Sequence, residues 1–401
     1  MVANAWYSTP TLARPGTATD GRTEIGILSP NYGLEHLSYL MDLPDYRHVL
    51  IRRLPLHRLE RRGRTFIDKT PIVLRAPVPL IHTFNQLPVN GPPFVISFEF
   101  KVPFYLGPDR PWQNAIGRRI LASPRCRGIL ALSETASTLV RNRFEAEGET
   151  EIAAKIHTFR GAVVPSRQSP AQMAARDDAS RDSGPLRLIF VGADGLRKGI
   201  VPLLDAVEQL RQSGAEIELT VVSSMLERSY AVVSAAQDAP GVRRRLEETP
   251  WITYHRALPY EAVRAAMAEH DLLALPTLDE TLGWVVIEAA MEGLGTVASN
   301  AFALPELVED GVGGRVIDLP LNENLKWEGL FSEDRPAALA EAYDRLREGL
   351  VAALGEAVNN RARVREWGRN AHARLAALYD PRNAARELAG HYARALGRPG
   401  G

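Results

Sequence analysis

From Leu186 onward the chain repeats one unit, a short apolar run followed by a segment of helical period, and this alternation constrains the fold more than any other feature. The runs are Leu186–Val191, Ile217–Val222, Ile252–Tyr254, Leu272–Leu275 and Thr296–Ser299. The helical segments are Ile200–Arg211, Tyr260–Glu269, Trp284–Glu292 and Leu304–Glu309. Within Ile200–Arg211 the apolar residues fall at 200, 203, 204, 207 and 210, one face of a helix, and Gly214 follows as a stop. Strands joined through helices pair in parallel, and right-handed crossovers then give a doubly wound α/β sheet.

The first half is less regular. Glu24–Ser29, Ile72–Leu74, Phe94–Phe98 and Gly128–Leu132 read as buried strands, with Gly161–Val164 as a closing one. Ser133 stands where an N-cap would open a helix over Thr135–Phe144. Between Pro165 and Pro185 the apolar period is lost, which is how an exposed connection reads. The expected organisation is therefore an N-terminal Rossmann-like domain over 1–165, a linker over 166–185 and a C-terminal Rossmann-like domain over 186–375. Helices fill the tail, the last of them over 376–401 packing back toward the N-terminal domain. Two domains of this size imply a cleft.

Charge and cysteine usage narrow the function classes. The 48 basic and 48 acidic residues cancel, so no global field draws the chain to nucleic acid. Cys126 is the single cysteine, which excludes an intrachain disulfide and a thiolate zinc site and reads as a buried apolar residue. Met1–Thr11 has neither the charge nor the apolar stretch of a secretion signal, so a cytoplasmic protein is expected. The arginine-rich stretch Arg47–Arg64 suits an anionic membrane or acceptor, against the plainer reading of a solvated surface helix and loop.

Ligands of doubly wound sheets sit beyond the carboxyl ends of the strands, so the following loops are where chemistry belongs. The loop Gly192-Ala-Asp-Gly-Leu-Arg-Lys-Gly199 sets Arg197 and Lys198 between a strand and a helix, where they can hold a diphosphate. The loop Pro276–Gly283 puts Glu280 just before a helix start, and Glu288 lies inside that helix, about 12 Å further along at 1.5 Å per residue. An ionised glutamate only accepts hydrogen bonds, which suits sugar hydroxyls and not phosphate. The diphosphate is then expected between the two acids, on the helix N-terminus and beside the two cations.

In these motifs the segment Leu186–Ile317 resembles the donor-binding domain of retaining family-4 glycosyltransferases of the GT-B fold. The resemblance rests on Arg197-Lys198-Gly199, on Glu280-Thr-Leu-Gly-Trp-Val-Val-Ile-Glu288, and on Leu304-Pro-Glu-Leu-Val-Glu-Asp-Gly311 with Gly314. It is weaker in the first half, through Phe94–Glu99 and Leu132-Ser-Glu134. It implies two Rossmann-like domains facing a cleft, with C-terminal helices. It also implies a hexosyltransferase taking a nucleotide diphosphate sugar as donor and a sugar, lipid-linked or small-molecule acceptor, without cofactor, metal or nucleic acid. Lys198 and Gly192 would serve the donor phosphates and Glu280 the sugar. Gly283, with Thr281 and Leu282, would present amides, Glu288 would bind the ribose, and Tyr254, His255 and Leu258 would wall the base. Ala193 stands where relatives commonly have a second arginine, a place Arg197 could fill. Glu99 stands where relatives often have a catalytic-side histidine.

Other residues have plainer readings beside the functional one. His82 and Asn85 could border an acceptor pocket, although a locally satisfied histidine is the expectation. Pro305 and Glu306 read as a helix start. Two rival functions remain open on sequence: a subunit of the same fold that binds sugar nucleotides without transfer, and a nicotinamide oxidoreductase. The second is disfavoured because the Gly192 loop lacks the three-glycine pattern and no acid ends the next strand.

Overall fold

The computed structural model describes residues 12, 15–16, 20–28, 37–60, 64–107, 110–166, 168–176, 178, 182–226, 229–232 and 239–398. The chain divides into two units, one of Asn4–Val163 with Tyr379–Gly401 and one of Val164–Leu378. Among the described residues each unit is built on a six-stranded, wholly parallel sheet.

The first sheet holds β1 (Thr23–Leu28), β2 (Tyr46–Ile51), β3 (Leu80–Phe84), β4 (Phe94–Phe98), β5 (Cys126–Ala131) and β6 (Ile156–Thr158), in the order β2-β1-β3-β4-β5-β6. Its helices are α1 (Phe66–Lys69), α2 (Pro111–Ala122), α3 (Glu134–Ala146) and α4 (Thr150–Ala153). Ser133 caps α3 as its sequence implies, its hydroxyl accepting from the Ala136 amide at 3.0 Å. Cys126 is buried, and burial pushes its thiol up to about 12.

Three readings of this half are corrected. Ile72–Leu74 joins no sheet; Val73 makes only an isolated antiparallel bridge to Arg53. The closing strand is β6, while Gly161 turns with φ 74° and Val163 donates to the Tyr379 carbonyl instead of to a strand. Arg47–Arg64 is a surface helix only in part: its first part is the edge strand β2, with Val49 and Ile51 buried, and a short 3-10 helix without buried residues follows over Pro55–Leu59. Arg47 pairs with Glu24 at 3.3 Å and Arg53 with the buried Asp68 at 2.8 Å. Arg61, Arg62 and Gly63 lie outside the described residues.

The second sheet holds β7 (Leu186–Val191), β8 (Ile217–Val222), β9 (Ile252–His255), β10 (Leu272–Leu275), β11 (Gly295–Ser299) and β12 (Gly314–Ile317). The connecting helices are α5 (Pro170–Ala175), α6 (Ile200–Gln212), α7 (Ala239–Glu248), α8 (Tyr260–Glu269), α9 (Trp284–Met291) and α10 (Leu304–Leu307). The long α11 (Arg335–Asn359) lies along α6, and α12 (Arg361–Leu378) covers β11 and α9, closing a core that includes Trp327 and Trp367. The strand order β12-β11-β10-β7-β8-β9 reverses direction between β7 and β10, which puts the ligand-binding crevice outside the carboxyl ends of those two strands.

The stretch read as an exposed connection is anchored. Ser169 and Gln172 form a capping box on α5. Arg176 donates to the Ala268 and His270 carbonyls, and Gln168 reaches Glu292. The chain ends in α13 (Pro381–Ala395), which belongs to the first unit. Its Tyr392 hydroxyl lies 2.9 Å from His48 Nε2 and 2.7 Å from His82 Nδ1, and His82 Nε2 lies 2.8 Å from Ser97 Oγ. All these groups are buried, so the locally satisfied reading of His82 holds. Burial depresses both imidazoles, that of His48 to about 4. Asn85 turns just beyond β3 with φ 52°.

Candidate functional site

Two loops meet where the second sheet reverses. The loop after β7 folds back on itself, with Lys198 and Ile200 amides donating to the Asp194 and Gly195 carbonyls. Gly192 has no side chain because that of Lys198 runs over it; a Cβ there would come within 2.9 Å of Lys198 Cγ. Gly199, at φ 83°, sits against the loop after β10, and a Cβ would lie 1.9 Å from the Pro276 carbonyl oxygen. The Leu278 amide and the Thr277 hydroxyl both donate to the Arg197 carbonyl, at 2.9 and 3.2 Å. Two glycines, the Leu278 amide and the Thr277 hydroxyl on the shared Arg197 carbonyl therefore bring residues some eighty apart in sequence into one cluster.

In that cluster Lys198 Nζ donates to Glu280 Oε2; Glu280 is buried and the Lys198 side chain is 12% exposed. Burial pushes the Glu280 carboxyl up, but the Lys198 ammonium and Arg197 guanidinium outweigh it and hold the acid below its ordinary value. Burial lowers the Lys198 ammonium, with Glu280 opposing. Arg197 donates to the Asp279 carbonyl and lies 3.4 Å from Asp194. Burial lowers its guanidinium, and Glu280 with its other acidic neighbours raises it by more.

The sequence reading missed three members. Asp279 accepts from Lys326 Nζ at 2.6 Å and from the Tyr230 hydroxyl, and the Lys326 ammonium also donates to the Glu280 carbonyl at 2.6 Å. Tyr230 lies under Arg197, ring to guanidinium 5.8 Å, and its neighbour Ser229 donates to Asp194 at 3.0 Å. Lys326 comes from beyond β12 and Tyr230 from beyond β8, stretches with no motif, so only the folded chain reveals them.

Gly283 is the left-handed N-cap of α9, φ 91°, and has no capping side chain. The helix starts beside Thr281 and the buried Leu282, and the Val286 amide donates to the Gly283 carbonyl at 2.8 Å. Glu288 is buried on α9 in different surroundings from Glu280, next to Tyr260 and Arg264. Its Oε1 has no hydrogen-bond partner among the described residues. Burial drives its carboxyl up to about 7 against the pull of Arg264, which is itself committed to a buried pair with Glu292. A buried carboxylate oxygen without a donor is costly and marks a place for one.

In the stretch expected to wall the base, Tyr254 is half-buried and its hydroxyl donates to the Ser223 carbonyl at 2.9 Å, while His255 ends β9 and Leu258 lies in the loop beyond. Pro305 opens the four-residue α10, whose first turn carries Glu306. Glu99 belongs to the other unit, half-buried just after β4 and close enough to Lys69 to raise its ammonium against a larger lowering by burial.

Residues 185–348 match the family model for group 1 glycosyl transferases. That segment is therefore similar to group 1 glycosyl transferases. Among curated relatives, the chain is 31% identical over 176 residues to D-inositol 3-phosphate glycosyltransferase of Segniliparus rotundus, covering 43% of this chain and 36% of that one. It is 25% identical over 210 residues to alpha-maltose-1-phosphate synthase of Mycolicibacterium smegmatis, 49% of this chain and 51% of that one. The matches thus span between about a third and a half of these relatives' length. Over 92% of this chain and 98% of the other, the fold is that of Anabaena HepE, solved in complex with UDP-glucose, with TM-score 0.57 and 15% identity. Sucrose-phosphate synthase from Thermosynechococcus elongatus gives TM-score 0.56 at 15% identity over 94% of this chain. The architecture of the chain is accordingly that of the GT-B fold.

Proposed function

We propose that the chain is a retaining hexosyltransferase that takes a nucleotide diphosphate sugar at the reversal point of the second sheet. The observation that carries the reading is the meeting of Lys198 and Glu280 there, 82 residues apart in sequence. The two groups satisfy each other in the structure and each suits one part of the donor: an ammonium for the diphosphate, a carboxylate for sugar hydroxyls. The donor would exchange one ion pair for two matched contacts. Glu288, with its unpartnered oxygen, would receive the ribose hydroxyls. The open start of α9 would receive the phosphate oxygens, and the wall from Tyr254 to Leu258 the base. Binding of UDP-glucose by HepE supports a donor of this class.

In the reaction the bond from the anomeric carbon to the diphosphate oxygen breaks and a bond to the acceptor oxygen forms on the same face. The acceptor proton passes to the departing phosphate. Lys198, Arg197 and the α9 amides stabilise the charge that grows on the diphosphate, and the scheme calls on no metal. The acceptor is assigned to residues 1–165, with Glu99 facing it.

A thermal-shift panel of UDP-, GDP- and ADP-sugars tests the reading, followed by nucleotide release from whichever donor stabilises the chain. One donor is expected to raise the melting temperature and to be slowly hydrolysed. Stabilisation without any hydrolysis or transfer would instead mark a binding subunit, and no stabilisation at millimolar donor would end the proposal.

A further inference from the structure

Lys326 is almost fully buried, lies 5.1 Å from the Phe302 ring, and spends its ammonium on the Asp279 carboxylate and the Glu280 carbonyl. It is held there by a tight turn: the Asn322 and Lys326 backbones bond to each other and the neighbouring Trp327 is buried in the core. The hydrogen-bonded and ion-paired cluster at the two loops contains Arg197, Lys198 and Lys326 as cations and Asp194, Asp279 and Glu280 as acids. Among the described residues, three charges of each sign leave it neutral. Without Lys326 the same cluster would carry one net negative charge where a diphosphate has to bind. Asp279 is the acid that Lys326 offsets, since its carboxylate pairs with Lys326 while Arg197 hydrogen-bonds to the Asp279 carbonyl. Ala193, on the same loop, brings no charge that could replace it.

We propose that Lys326 is a positioning residue that sets the sign of the field at the donor site, by cancelling Asp279 so that Lys198 and Arg197 act on the diphosphate undiminished. This rests on the donor-site reading above. The charge is fixed in advance on a buried side chain, so its effect is felt in donor affinity and is only weakly screened by salt. Lys326 need not touch the donor for this.

The test is calorimetric titration of the full chain and its variants with UDP, GDP and ADP, keeping whichever wild type binds tightest. Lys326→Met is expected to weaken that affinity roughly tenfold or more. Lys326→Met combined with Asp279→Asn restores neutrality and is expected to recover to within about threefold of wild type, although the ion pair is gone. Should Lys326→Met alone not fold, Asp279→Asn alone carries the test: it leaves the cluster one charge more positive and is expected to bind as tightly as wild type or tighter. Wild-type affinity in a folded Lys326→Met, a double variant as weak as the single one, or weakened binding in Asp279→Asn would each overturn the inference. A wild type that binds none of the three nucleotides overturns the donor-site reading itself.

Discussion

Replacing Glu288 by glutamine should stabilise the protein and damage its function at once. Burial raises the Glu288 carboxyl from 4.5 to about 7. Below about pH 4.5 the folded and unfolded chains both hold the proton and the group is neutral toward stability. As pH rises, the unfolded chain gives it up first, and the folded state is progressively destabilised until the folded carboxyl ionises near 7. Two and a half pH units at about 1.36 kcal/mol each put the loss at about 3 kcal/mol at pH 8.5, and below about 1 kcal/mol at pH 5. Glutamine keeps the shape and cannot ionise, so in urea denaturation Glu288→Gln is expected to exceed wild type by about 3 kcal/mol at pH 8.5, with the gap closing toward pH 5. Losing a charged acceptor for ribose should weaken nucleotide binding by about 1.5–3 kcal/mol, while inorganic pyrophosphate should bind as before. A gap that does not change with pH, or a variant less stable than wild type at pH 8.5, would refute the assignment of a strained, buried acid.

Lys198→Ala removes the ammonium that meets the departing diphosphate and is expected to lower kcat about a hundredfold or more. Glu280→Ala should fall at least as far with the true donor, and steady-state nucleotide release checks both. Tyr392→Phe removes the hydroxyl that satisfies His48 and His82. It is expected to cost about 2 kcal/mol in urea denaturation and to leave nucleotide affinity unchanged, since it lies in the other unit.

The second sheet was legible where β7, β10 and β11 are almost wholly buried and where its helices keep a clean period. Tyr260–Glu269 and Leu272–Leu275 fall in the structure where the pattern puts them. The first sheet was less so. β2 carries Arg47 and His48 in a strand, which reads as a cationic surface until Glu24 and Tyr392 are seen to neutralise and bury them. Gly161–Val164 is apolar and extended but has no sheet neighbour to pair with, because the chain turns at Gly161. The two loops of the site were marked by glycines and charges at fixed distances from strands. Lys326, Asp279 and Tyr230 were not, since their partnership depends on three separate turns meeting, and a lone charged or aromatic residue in a turn has no local signature. Nor could spacing show that Lys198 and Glu280 hold each other in the free protein, or that Glu288 is left with an unmatched oxygen.

The most direct measurement is a crystal structure of the chain soaked with the nucleotide diphosphate sugar that stabilises it best. The expected density has phosphate oxygens about 3 Å from Lys198 Nζ and from the first amides of α9, the ribose hydroxyls on Glu288 Oε1, and Glu280 released from Lys198. A nucleotide seated elsewhere, or one bound here with Lys198 still on Glu280 and Glu288 still unpartnered, would contradict the account.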